Sequence, residues 1–294
     1  MIECVPNFSE GRDLAVVQQI RDAIAAVPGV LLLGCESDAD HNRSVITFVG
    51  EPIAVRCAAW AGAIVASWLI DLTKHVGVHP RIGAADVIPF VPLQGASMED
   101  CVACAHWLAA ELWREVQVPS YLYEFAARHP SRVKLEDVRR GGFELLREST
   151  TGREPDVGGP ALHPTAGASA VGARRILIAC NVNLAEPDVR IAKQIAKRIR
   201  ASSGGFPYVK ALGLELASKG MTQVSMNLTN IEVSPLHEVY QAIVDSGAKI
   251  AETELIGFIP ADAAAAAPEF LSKCRDFGPE RILENRIQQA RQLA

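Results

Sequence analysis

Ser149-Thr-Thr-Gly-Arg-Glu-Pro155-Asp-Val-Gly158-Gly159-Pro160-Ala-Leu-His-Pro164-Thr-Ala-Gly167-Ala-Ser-Ala-Val-Gly-Ala-Arg174 is the stretch on which the reading of the fold turns. Its prolines lack the amide hydrogen and its glycines lack a Cβ, so no helical or strand period survives across it. The stretch reads as the connection between two lobes. On its N-terminal side, a short apolar strand (Ile2 to Pro6) leads to a helix from about Asp13. In that helix Leu14, Val17, Ile20, Ile24 and Val27 recur at helical spacing until Pro28-Gly29. Strands follow at Val30 to Cys35 and Ser44 to Val49, then a helix from Pro52 to about Leu72 and a strand at Val87 to Val91. The order is β-α-β-β-α-β.

On the C-terminal side the same order returns: strand Ile176 to Val182, helix Val189 to Arg200, strands Val209 to Leu216 and Thr222 to Thr229, helix Leu236 to Ser246, strand Lys249 to Ile256. Helices at Met98 to Val116 and near Pro130 to Arg140, and a strand at Ser120 to Tyr123, decorate the first lobe. The pattern predicts an α+β protein of two ferredoxin-like subdomains, 1–172 and 173–294. Each would bury one sheet face under its own helices, so packing sheet to sheet leaves a ligand cleft or tunnel between the lobes. The run Ala263 to Ala267 reads as the start of a helix with Asp262 as its N-cap.

At 294 residues the chain is long enough for two such units. Hydrophobic residues at 49% and charged residues at 21% rule out wholesale disorder. Lys plus Arg number 29 against 34 Asp plus Glu, and the net charge of −5 provides no general field for nucleic acid. Seven cysteines, an odd number set in apolar runs, read as reduced thiols of a cytoplasmic protein. The opening Met1-Ile-Glu-Cys-Val has an acid and no base before Arg12, so no export signal is expected. The apolar run Cys57 to Ile70 is shorter than the ~20 residues a membrane span requires and reads as a buried helix.

The densest chemistry lies in His75-Val-Gly-Val-His79-Pro-Arg81-Ile-Gly83-Ala-Ala-Asp86, between a buried helix and a strand. Gly77 and Pro80 argue against a helix that would turn both imidazoles onto one metal, and no third ligand of suitable spacing is evident, so no metal is expected. Hydrogen-bonded structural histidines and a catalytic loop both remain open for this segment. A second polar run, Glu36 to Ser44, joins two strands. A solvated turn explains most of it, yet Asn42 and Arg43 stand at a strand start, where a guanidinium could hold a carboxylate. Ser9 reads as a helix cap. Cys101 and Cys104 form a C-x-x-C well inside a helix, where core packing is the simpler role. No phosphate-loop pattern accompanies the glycines at 158, 159 and 167.

Several longer strings carry a resemblance: Val5-Pro-Asn-Phe-Ser-Glu-Gly11, Asn42-Arg-Ser-Val-Ile-Thr-Phe48, His75 to Asp86, Pro119-Ser-Tyr-Leu-Tyr123, Gly172-Ala-Arg-Arg-Ile-Leu-Ile-Ala-Cys-Asn-Val-Asn-Leu184 and Thr222-Gln-Val-Ser-Met-Asn-Leu228. Together they strongly resemble the formiminotransferase domain, best known as the first half of the bifunctional formiminotransferase-cyclodeaminase. The likeness runs from Met1 to near the C-terminus, with no cyclodeaminase half. It implies a homodimer with a folate-binding tunnel between ferredoxin-like subdomains. It also implies transfer of a formimino group between N-formimino-L-glutamate and N5 of tetrahydrofolate, which acts as co-substrate.

The family's catalytic histidine, in its His-Pro-Arg-x-Gly motif, is His79 here, and an imidazole suits a reaction that removes one proton and returns another. Asn42, Arg43 and Arg81 become the candidates for the donor's carboxylates. Glu36, where the family tends to have aspartate, would orient an imidazole or meet the amidine nitrogen. The family's folate contacts align with Val157, Gly158, Gly159, Pro160, Ala161, Leu162, His163, Pro164, Thr165 and Ala166, and with Ala196, Lys197 and Arg198. Animal members carry Ser-Trp-Gly where this chain has Thr165-Ala166-Gly167, which removes a stacking partner typically worth ~0.5–1.5 kcal/mol. Alternatives are a related folate enzyme using another formimino donor or 5-formyltetrahydrofolate, and a non-catalytic folate-binding module.

Overall fold

Pro6 breaks the N-terminal strand in two. Proline cannot donate to a ladder, so β1 (Ile2–Cys4) and β2 (Asn7–Phe8) are separate segments. Both lie in the same slot of one sheet, between β4 (Arg43–Gly50) and β5 (Ala85–Pro92), and both are antiparallel to each neighbour. The computed structural model describes residues 1–39, 41–77, 80–216 and 220–293. The chain is α+β and divides into two compact units, unit 1 ending at Arg174 and unit 2 running from Arg175 to Leu293.

In unit 1, α1 (Leu14–Ala25) follows β2, with Asp13 as N-cap accepting from the amides of Ala15 and Val16. Then come β3 (Val30–Asp38), β4, α2 (Pro52–Leu69) and β5. The first four positions of the sheet run β5, β1 with β2, β4, β3, so the strands of the β-α-β-β-α-β order lie fourth, first, third, second. Beyond β5 the sheet continues through β7 (Ser169–Ala173) to β6 (Ser120–Glu124), both parallel to β5. Helices α1, α2 and α3 (Met98–Val116) pack side by side against the sheet. Their Ile20, Ile24, Ala59, Ala63, Ala105 and Leu108 meet Ile2, Phe8, Phe48 and Phe90 in one core. By length and composition α2 is apolar enough to cross a membrane, yet Val55, Ala58, Ala63 and Ala66 bury it in this core.

The stretch 149–174 is not a connection between lobes, which corrects the sequence reading. It belongs to unit 1, and its C-terminal end, β7, is a fully buried strand between β5 and β6. Between β6 and β7 the chain forms α4 (Leu135–Val138) in the region expected to be helical, and a further helix, α5 (Gly142–Glu148), which periodicity did not indicate. This segment is pinned by arginines. Arg132 pairs with Asp156, and the Arg153 guanidinium donates to the carbonyls of Asp137, Val138 and Arg140.

Unit 2 contains β8 (Ile178–Leu184), α6 (Val189–Ile199), β9 (Val209–Leu216), β10 (Met221–Leu228), α7 (Leu236–Val244) and β11 (Ile250–Ile256). All neighbours are antiparallel in the order β11-β8-β10-β9, again fourth, first, third, second. Strand alternation sends Cys180, Val182, Val224 and Met226 under Ile195, Val239 and Ile243 of the helices. Three short helices close the chain: α8 (Ala261–Ala266), α9 (Pro268–Ser272) and α10 (Leu283–Leu293). Pro260, not Asp262, occupies the N-cap of α8; Asp262 lies in its first turn.

Candidate active site

The polar loop expected to carry chemistry joins α2 to β5 through residues 70–84. His79 and Val78 lie outside the described residues. What surrounds them in sequence is heavily anchored. Asp86 Oδ1 accepts from the amides of Ile82 (2.7 Å) and Gly83 (3.3 Å), while its other oxygen pairs with Arg139, just past α4. Ser9 is not a helix cap; its hydroxyl donates to the carbonyl of Gly83 at 2.7 Å, and its amide to Ala84. Across the same segment Ala84 donates to Ala166, Ala168 to Ile82 and Phe143 to Arg81. The approach is so close that a Cβ on Gly83 would collide with the carbonyl of Ala168.

The other stem is held by the β3–β4 turn. Asn42 takes a left-handed conformation (φ 49°), which an Asn tolerates through local hydrogen bonding. Its side chain accepts from Gly11 (3.0 Å) and donates to the Val76 carbonyl (3.2 Å). Its own carbonyl accepts from His75 Nε2 at 2.9 Å. Arg81 Nε then donates to His75 Nδ1 at 2.8 Å and Arg81 Nη2 to the His75 carbonyl at 3.1 Å. Glu144 of α5 closes the set, taking Arg81 Nη1 and Nη2 bidentately at 3.1 and 2.7 Å. The guanidinium holds the Glu144 carboxyl below its ordinary range. An arginine has no acceptor, so His75 Nδ1 must carry the lone pair and Nε2 the proton.

Phe8, Ser9, His41, Asn42, Arg43, His75, Arg81 and Asp86 line one small pocket of ≈ 10 Å³. Arg43 opens β4, opposite Asp38. Its guanidinium is pushed down to about 10, first by burial and then by the Arg139 charge, with Asp86 and Asp38 acting in the other direction. At neutral pH it remains a cation, held largely out of water.

The structure therefore brings Asn42, Arg43 and Arg81 together, and adds Ser9, His75, Asp86, Arg139 and Glu144. Two of these additions, His75 and Asp86, sat in the polar string. Arg139 and Glu144 arrive from distant segments and carried no sequence signal. Glu36 is exposed on the edge strand β3, opposite Val45, and is not among the residues lining this pocket.

The aligned folate segment divides. Val157 is tied to Ser120 by two backbone hydrogen bonds, and Gly158 lies against the Trp113 ring. Gly159, Pro160, Ala161, Leu162 and Pro164 continue the loop, with the Pro160 carbonyl accepting from Thr150. His163 Nδ1 accepts from the amides of Ala166 (3.0 Å) and Thr165 (3.3 Å), and burial pushes this imidazole below its ordinary value. The carbonyls of Thr165 and Ala166 accept from Leu72 and Ala84, so this end of the segment borders the anchored loop. Ala196, Lys197 and Arg198 are in unit 2, on α6. Ala196 is buried in the core, and the two cations are exposed.

Among the described residues no group of three His, Cys, Asp or Glu side chains is placed to hold a metal. Cys101 and Cys104 are buried, and burial pushes their thiols up to about 12 and about 11, which leaves them inert. A larger depression in unit 2, of ≈ 570 Å³ and lined largely by residues of α7 and α9, contains none of the expected residues.

Known proteins share this whole chain. Residues 1–174 match the formiminotransferase domain, N-terminal subdomain, and residues 179–286 match the formiminotransferase domain. A glutamate formimidoyltransferase of Thermoplasma acidophilum is 44% identical over 99% of this chain and 98% of its own length. One of Streptococcus pyogenes serotype M1 is 42% identical over 98% of each. The formimidoyltransferase-cyclodeaminase of Gallus gallus is 42% identical over 93% of this chain, a region that makes up 52% of that protein. With both units matched and relatives of equal length above 40% identity, the chain belongs to the formiminotransferase family.

Proposed function

We propose that the protein is a glutamate formimidoyltransferase, moving the formimino group between N-formimino-L-glutamate and N5 of tetrahydrofolate. The observation that carries this reading is end-to-end identity of 44% and 42% with two glutamate formimidoyltransferases. The anchored polar loop of unit 1 supports it. N5 attacks the amidine carbon and gives a tetrahedral adduct. The N5 proton passes to a general base, and the same group returns a proton to the glutamate nitrogen as its bond to carbon breaks. His79 is that group, since an imidazole titrates near the working pH and serves both steps.

Arg43, buried and cationic beside Asn42, meets a donor carboxylate. Arg81 does so only where a substrate carboxylate displaces Glu144. Glu36, exposed on β3, orients an imidazole or meets the amidine nitrogen. Tetrahydrofolate is held by residues among Val157 to Ala166 and by Lys197 and Arg198. The repeated fourth-first-third-second strand order favours a ferredoxin-like subdomain in each unit. The enzyme is a cytoplasmic homodimer and needs no metal.

Purified protein incubated with tetrahydrofolate and formiminoglutamate should yield a folate that acid converts to the methenyl form. His79→Ala should lose about 100-fold or more of kcat with the fold intact, the scale of a lost general acid–base. Equal activity in both proteins would remove His79 from the mechanism. No activity in either would redirect the reading to another formimino donor or to 5-formyltetrahydrofolate.

A further inference from the structure

Resting on the transferase reading above, we infer that Glu144, Arg81, His75 and Asn42 form a positioning relay, in which His75 works as a fixed, neutral hydrogen-bond bridge and Arg81 as its clamp. Four of the five guanidinium N–H groups of Arg81 are already committed, to Glu144 twice, to His75 Nδ1 and to the His75 carbonyl. An arginine so engaged is a poor partner for an incoming carboxylate and a good strut. Its side chain is 13% exposed, and the chain from residue 75 to residue 81 is closed on itself by these bonds.

His75 passes the constraint on. Its Nε2–H holds the Asn42 carbonyl, the Asn42 side chain holds Val76 and Gly11, and Gly77 lies so close to the His41 carbonyl that a Cβ would not fit. Both stems of the loop that contains His79 in sequence are thus tied to the β3–β4 turn and to α5. Protonating His75 Nδ1 would set an N–H against the Arg81 N–H and a cation against a cation, breaking the bridge. Other charged or titratable groups facing this pocket are His41, Arg43 and Asp86. The imidazole therefore bridges rather than shuttles protons, and Glu144, which is not itself among the residues lining the pocket, acts through Arg81.

Glutamine separates the two roles. One primary amide can accept from Arg81 through its oxygen and donate to Asn42 through its nitrogen, and it does not titrate. His75→Gln should keep kcat within about 3-fold of wild type with the same acid limb, whereas His75→Leu should lose about 100-fold in kcat, the penalty of a roughly 1 Å misplacement. Glu144→Gln should lower kcat about 3- to 10-fold at unchanged KM for formiminoglutamate, since geometry changes and a substrate contact does not. Nitrogen-15 NMR of histidine-labelled wild type, which needs no activity, should find His75 as the Nε2–H tautomer. His75→Gln as inactive as His79→Ala would make His75 a proton-transfer group and overturn the relay. So would a rise in donor KM at constant kcat in Glu144→Gln, or an Nδ1–H tautomer. Wild type inactive with formiminoglutamate but carrying the Nε2–H tautomer would strike the transferase reading and leave the bridge standing.

Discussion

The two units place their strands in the same order and use the order differently. In unit 1 the connection from the second helix to the fourth strand of the repeat spans residues 70–84 and carries His75, Arg81 and their anchors. In unit 2 the corresponding connection is residues 245–249, a tight turn through Gly247. Unit 1 thus concentrates its polar groups at loop ends, as expected where rigid elements present working residues. Unit 2 puts its polar groups on the sheet itself. Opposite the helix-covered face, Asn181, Asn183, Gln223, Glu252 and Glu254 form one network, in which Asn183 donates to both glutamates at 3.0 and 2.9 Å and accepts from Gln223 at 2.9 Å. Arg275 pairs with Glu252 at its margin. The same topology supports an anchored loop in one copy and a hydrogen-bonded sheet face in the other, so the strand order alone predicts neither.

The sharpest way to break this comparison is at Asp86. Its side chain is 3% exposed, it accepts two amides of the loop, and it pairs with the largely buried Arg139. Asp86→Ala strands that guanidinium and both N–H groups, and should cost about 3–5 kcal/mol together with most of the activity. All four tryptophans, at 60, 68, 107 and 113, belong to unit 1, so fluorescence follows its unfolding alone. The fluorescence transition in guanidinium should move to lower denaturant. An unmoved transition would mean that the pair contributes nothing to the unit.

The matching test in unit 2 is Asn183→Leu. Asn183 is 0% exposed and serves three partners, so its loss should cost about 1–3 kcal/mol. The loss should be visible in far-UV circular dichroism while the tryptophan transition stays in place. A tryptophan transition that shifts equally would show the two units unfolding as one, and the contrast between them would then be structural without being energetic.

Residues that satisfied both local propensity and tertiary packing were legible in the sequence. Helix α3 runs over the residues its periodicity indicates because Ser97 and Asp100 form a capping box at its start and Gln117 turns left-handed at its end. Strand β7 was illegible for the opposite reason. Ser169-Ala-Val-Gly-Ala173 has little strand propensity, but the slot between β5 and β6 is narrow, and Gly172 lies directly against the Tyr123 ring. Helix α5 starts on two glycines, Gly141 at its N-cap and Gly142 as its first residue, that argue against it locally. At the site, the polar density of residues 36–44 and 75–86 pointed to the right neighbourhood. Arg81 was legible as a cation but not as a clamp, because its partner Glu144 comes from that same hidden helix.

The smallest expected effect tests whether the aligned folate segment of unit 1 has the rigidity of the loop it borders. His163 Nδ1 caps the amides of Thr165 and Ala166, and burial holds the imidazole below its ordinary value. The unfolded chain therefore takes up the proton at higher pH than the folded one. The contribution of His163 is complete above the unfolded value of ~6.5 and is lost as pH falls through that value toward the folded one. Asparagine can offer its Oδ1 to the same two amides without titrating. His163→Asn should therefore match wild type in Tm at pH 7.5 and exceed it slightly at pH 5.5, with the gap opening only below about 6.5. Parallel Tm curves across that range would show that the imidazole is protonated without disturbing the turn. The segment next to Ala84 and Leu72 would then be held by its backbone hydrogen bonds alone, in contrast to the side-chain relay on the other side of the loop.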